Sequence, residues 1–142
     1  CTTKRRYEVL WTLREAGIPT VVWLSPILPF INDTRENVEG ILNYCIRAKV
    51  RGIICFGMGM TLRAGDREYY YCALDRHFPG MKERYQKRYG YAYEVPSERN
   101  RELMKLFYAK CAGHGIMSRV DDVFAYLKEF PKQEKYEQMS LF

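Results

Sequence analysis

The chain has 142 residues, 47% of them hydrophobic and 28% charged, with a formal net charge of +6. That is one domain's worth of chain with enough apolar residues to bury a core, which excludes a disordered protein, a collagen, a coiled coil and a disulfide scaffold. The longest apolar stretch, residues 18–31, is cut by Pro19, Ser25, Pro26 and Pro29, so it does not span a bilayer. With no signal-like start, a cytoplasmic location is expected. The positive charge fits a nucleic-acid partner and equally fits many soluble enzymes.

The chain opens at Cys1 and runs directly into Thr2-Thr3-Lys4-Arg5-Arg6. This reads as the start of a helix, so a C-terminal portion of a longer protein is expected. Residues 4–16 form that helix, with Tyr7, Leu10, Trp11 and Leu13 on an apolar face and Gly17 at its cap. Residues 20–24 (TVVWL) do not alternate, which predicts a strand covered on both faces, as in a parallel sheet.

A proline-broken loop follows to Asp33. Asp33 or Thr34 caps the next helix, with Glu36 placed to complete a capping box from Asp33. Val38, Ile41, Leu42, Cys45 and Ile46 recur at i, i+3, i+4, i+7 and i+8, the cleanest amphipathic pattern in the chain. Residues 52–56 (GIICF) predict a second buried strand, followed by Gly57-Met58-Gly59-Met60. Helix, strand, helix, strand at this spacing is the signature of βα units in a parallel sheet. Two strands do not make a stable sheet alone, so further strands come from a preceding part or from a second copy pairing at the open edge.

After Thr61 no further strand is expected. Helices are predicted over 67–78, stopped by Pro79-Gly80, over 81–89, ended by Gly90, and from a Ser97 cap to 112. A last helix starts at Asp121 or Asp122, carries Val123, Phe124, Leu127 and Phe130, and stops at Pro131. The organisation read from this is two βα units over 1–62, a helical extension over 63–131 and a flexible tail over 132–142, with about five or six helices in all.

The five cysteines, at 1, 45, 55, 72 and 111, show no CxxC or CxxxCxxC spacing, and read as reduced, buried small hydrophobes. His77 stands at a helix end and His114 between two glycines, neither beside a nucleophile. In parallel βα architectures ligands bind at the carboxyl ends of strands, which singles out residues 25–33 and 57–61. The glycines there would let a ligand approach the backbone; a tight bend packed on the helical extension explains them as well. Ser25, Asn32, Met58 and Met60 are the candidate cofactor or substrate contacts. In the 81–101 segment Lys82, Arg84, Lys87 and Arg88 alternate with tyrosines, a pattern suited to phosphates and unpaired bases, and also to a solvated helix face.

The run AGIPTVVWLSPILPFINDT (residues 16–34) resembles the later part of radical S-adenosylmethionine enzymes, where a helix ending AGI leads to a strand, a proline-containing loop and an ND helix start. GIICFGMGM (52–60), HFPG (77–80) and the Tyr89-Gly90 helix end are similar to the spore photoproduct lyase-like branch, described as DNA repair photolyase-like. The resemblance implies the last two units of a partial (β/α)6 TIM-like barrel followed by an all-helical C-terminal extension. It also implies S-adenosylmethionine and a [4Fe–4S] cluster in the whole protein, with the CxxxCxxC loop that holds the cluster absent from this portion. This portion alone is then expected to bind neither and to be inactive. The implied chemistry is cleavage of the cofactor to a 5′-deoxyadenosyl radical that abstracts hydrogen from a DNA lesion.

The last residues, Gln138, Met139, Ser140, Leu141 and Phe142, resemble the bacterial sliding-clamp binding motif, a glutamine followed by apolar anchors. Docking of that tail on its own domain is the other reading. Two rival functions stay open: a non-catalytic DNA or clamp interaction module, and a radical enzyme acting on a peptide or small metabolite.

Overall fold

The computed structural model describes residues 2–129. Six helices and four short strands run in the order α1 (Thr3–Glu15), β1 (Val21–Trp23), α2 (Arg35–Arg47), β2 (Gly52–Ile54), β3 (Gly59–Thr61), α3 (Asp66–His77), α4 (Met81–Tyr89), β4 (Glu94–Pro96), α5 (Asn100–Gly113) and α6 (Val120–Lys128). β1 and β2 pair in parallel with Val22 opposite Ile53; β2 is buried along its length, whereas β1 is not covered on both faces, Val21 and Val22 being half-buried and Trp23 exposed. β2 is flanked on its other side by a bridge from Gly52 to Met117. No strand among the described residues pairs with the outer edge of β1. The fold is mixed α/β and mostly helical, and the described residues close no barrel.

The extension is not all-helical: β4 pairs antiparallel with β3, Val95 opposite Met60. β4 has one buried residue, Val95, between exposed Glu94 and Pro96, so it is too short to show alternation, and a proline argues against a strand. Pro96 is tolerated because the ladder has only two strands. Gly59 is required by this ladder. A Cβ there would lie 2.6 Å from the Val95 carbonyl oxygen and 2.8 Å from Pro96 Cα.

The caps follow local chemistry. Thr34 Oγ1 accepts the Asn37 N–H at 3.2 Å and is the N-cap of α2. Asp33 is not the cap and forms no capping box with Glu36. Its buried carboxylate instead accepts the Ser97 hydroxyl at 2.5 Å. Ser97 likewise does not cap α5. It stands in the turn before it, where its Oγ also accepts the Arg99 N–H at 3.0 Å. The Asp33–Ser97 pair therefore joins the loop after β1 to the extension. After α1, Gly17 takes φ +72° and the Ile18 N–H reaches the Leu13 carbonyl at 2.9 Å, the terminating turn expected of it.

Two apolar clusters form. The first lies between the parallel pair and helices α2 and α5, and contains Val38, Leu42, Cys45, Ile53, Met58, Leu103 and Phe107. The second lies under β3–β4, α3 and α4, and contains Leu62, Tyr71, Leu74, Tyr85 and Val95. Tyr85 donates to the Pro29 carbonyl at 2.5 Å and accepts from the Tyr70 hydroxyl at 3.0 Å. Burial pushes its phenol well above the usual range, so it acts here as a neutral donor. Tyr71 is buried in the same cluster, but its hydroxyl has no partner among the described residues. An unpaired buried hydroxyl costs about 1–3 kcal/mol. Tyr71→Phe is therefore expected to leave stability unchanged or raise it by about 1 kcal/mol in urea unfolding; a loss above that size would reveal a partner for the hydroxyl.

Candidate functional site

The carboxyl ends of β1 and β2 open onto a cleft of about 430 Å³, within the range of small-molecule sites. One rim carries Trp23, the last residue of β1, and Phe56, just past β2. They are 58% and 68% exposed, with ring centroids 5.7 Å apart. Phe124 of α6 meets Trp23 edge-on at 6.5 Å. The far wall is the β3–β4 ladder, presenting Met60, Thr61, Glu94 and Pro96. The loop after β1 is pinned to that wall by the Ile27 N–H donating to the Gly59 carbonyl at 3.0 Å.

The sequence candidates divide. Ser25, Met58 and Met60 line this one cleft. Met58 does so from the core, being 1% exposed, and its backbone is clamped on both sides. Its N–H donates to Asn100 Oδ1 at 2.7 Å, and its carbonyl accepts the Ser97 N–H at 2.7 Å. Asn32 is not among the lining residues. Its Oδ1 accepts the Leu28 N–H at 2.6 Å, and its carbonyl accepts from Asn37 Nδ2 at 2.8 Å, so it shapes the loop after β1. Trp23, Phe56, Glu94 and Asn100 were not singled out from sequence. The aromatics at two strand ends were a legible signal; the residues from β4 and α5 carried none.

Chemically the cleft is a binding surface. Ser25 has no histidine beside it in the lining, and Glu94 is the single carboxylate among the lining residues. Stackable rings on one side and a hydroxyl, an amide and a carboxylate on the other suit a ligand with a planar and a polar part.

The α4 candidates are partly spent on internal contacts. Lys82 pairs with Asp75 at 2.7 Å, which raises its pKa, and Arg88 pairs with Glu98 at 2.8 Å. The Arg84 guanidinium carbon lies over the Phe30 ring, 3.8 Å from its centre. Lys87 is exposed and has no ion pair among the described residues. The tyrosines split: Tyr85 is buried and Tyr89 half-buried, while Tyr91 and Tyr93 are 94% and 50% exposed.

Cys45, Cys55 and Cys111 are buried and Cys72 is exposed. Burial pushes the Cys45 thiol up to about 12 and Cys111 up to about 11, so both stay protonated. No three His, Cys, Asp or Glu side chains among the described residues stand where they could hold a metal. The described residues therefore do not fit a [4Fe–4S] cluster. His77 ends α3 and His114 caps α5 at its C-terminal end, where a helix dipole favours a basic group. Residues 138–142 lie outside the described residues. No described helix is long and apolar enough to cross a membrane.

No protein-family model matches the chain, and no solved structure does. An 88-residue segment, 62% of the chain, is 30% identical to uncharacterized proteins of Mycobacterium tuberculosis and Mycobacterium bovis, and covers 25% of each. The matched segment thus spans about a quarter of the length of these curated relatives.

Proposed function

We propose that the chain is the C-terminal part of a radical S-adenosylmethionine enzyme of the spore photoproduct lyase-like branch, acting on lesions in DNA. The observation that carries this reading is the pair of parallel βα units whose carboxyl ends open onto one cleft, with the β1 edge left for preceding strands. In the whole protein these are the last units of a partial (β/α)6 barrel. Residues outside this chain hold the cluster, which supplies an electron for radical formation. Trp23 and Phe56 stack a planar group, Ser25 and Glu94 orient its polar part, and the Asn100–Met58 clamp fixes the floor. Arg84, Lys87 and the exposed Tyr91 and Tyr93 face the DNA, and the tail residues 138–142 recruit a sliding clamp.

The test is the iron and acid-labile sulfide content of the complete protein after anaerobic purification. About four irons per chain are expected. An iron-free protein overturns the reading and leaves a DNA or clamp interaction module. Cofactor cleavage that ignores DNA, with no DNA affinity, points to a peptide or small-metabolite substrate instead.

A further inference from the structure

A second cleft, about 420 Å³ in volume, lies at the amino end of β2, away from the first. Two turns build it: residues 49–51 between α2 and β2, and residues 114–116 after α5. Lys49, Arg51 and His114 bring three basic side chains to it, and no acidic residue lines it. None of the three has a carboxylate partner among the described residues. All six backbone donors of these turns are already used: Lys49 to the Ile46 carbonyl, Val50 to Cys45, Arg51 to Thr20, His114 to Cys111, Gly115 to Ala112 and Ile116 to Cys111. A ligand is therefore met by side chains, and their charge selects an anion.

Lys49 has φ +51° and closes the C-terminal turn of α2, with the Val50 N–H on the Cys45 carbonyl at 3.1 Å. The same turn after α1 uses Gly17, the residue that takes this conformation without strain. A lysine here is kept against a backbone cost. The helix dipoles do not require it, because Arg47 and Lys110 already stand in the last turns of α2 and α5. Arg51 is positioned by the Tyr126 ring, 5.6 Å from its guanidinium.

We infer that this cleft binds a phosphate ester. Lys49 and Arg51 take the phosphate oxygens, His114 donates beside them, and Ile46, Val50 and Ile116 pack against the organic part. The site is independent of the cleft at the other end of the strands.

Thermal unfolding with inorganic phosphate, against chloride at equal ionic strength, tests one source; anisotropy of a fluorescein-labelled oligothymidine tests the other. Wild-type Tm is expected to rise with phosphate concentration. Lys49→Gly is expected to start about 2 °C higher, because its turn is relaxed, and to lose most of that phosphate-dependent rise. Arg51→Gln loses the rise without the higher start. Oligonucleotide binding weakened about tenfold in both variants identifies a nucleic-acid backbone as the source of the phosphate; unchanged oligonucleotide binding with a lost phosphate response identifies a free phosphate ester. A wild-type Tm indifferent to phosphate, with oligonucleotide binding equal in all three proteins, overturns the inference. So does a Lys49→Gly protein that keeps both responses.

Discussion

Replacing Arg67 by alanine is expected to lower the unfolding free energy by about 3 kcal/mol. Arg67 is 8% exposed and has no carboxylate partner among the described residues. Its guanidinium donates to four backbone carbonyls instead: Leu62 at 3.0 Å, Gly90 at 3.3 Å, Tyr91 at 3.1 Å and Ala92 at 2.8 Å. One side chain thus ties the β3–α3 connection to the segment between α4 and β4. Hydrogen bonds from a charged donor contribute about 1.5–3 kcal/mol each. The sum is smaller than four such bonds because residues 90–92 are exposed, so water takes over part of the loss. Arg67→Lys keeps the charge but not the planar fork, and is expected to recover less than half of the stability. Urea unfolding of the three proteins measures this. A loss under about 1 kcal/mol for alanine would mean that the carbonyls rehydrate fully.

The second large effect is at Gly59. Gly59→Ala places its Cβ against backbone, the Val95 carbonyl oxygen and Pro96 Cα, and backbone does not swing aside as a long side chain does. The β3–β4 ladder has to part, and it carries the far wall of the first cleft. A destabilisation of about 3 kcal/mol is expected, at the upper end for overpacking. Gly40→Ala is the control: it lies within α2 with nothing within 4 Å of the added Cβ. It is expected to gain about 0.5–1 kcal/mol from helix propensity and a less free unfolded chain. Equal Tm values for the two variants would show that the ladder adapts without cost.

The Gly59 contacts also decide how the Gly57-Met58-Gly59-Met60 run is understood. One reading of its glycines was the approach of a ligand, the other a tight bend packed on the extension. At Gly59 neither a ligand nor a tight bend is the reason: it lies within β3, and the space a side chain would fill is occupied by β4 of the extension. Gly57 lines the cleft at φ +146°. The two glycines therefore serve different needs within three residues, which spacing alone does not distinguish.

Much of the local structure was legible. The periodic pattern of α2 names Val38, Ile41, Leu42, Cys45 and Ile46; Val38, Leu42 and Cys45 are buried and the two isoleucines half-buried. β1 and β2 pair in parallel, though only β2 is buried along its length. These follow from periodicity, side-chain shape and caps, which act within a few residues of chain. The cleft was legible only on its strand-end side, through Ser25, Met58 and Met60. The pairing of β4 with β3, the Asp33–Ser97 bond across 64 positions, the four carbonyls on Arg67 and the placing of Lys49 and His114 on one cleft were decided by tertiary structure alone. Each brings together segments separated in sequence, and such juxtapositions impose no period on the residues that make them.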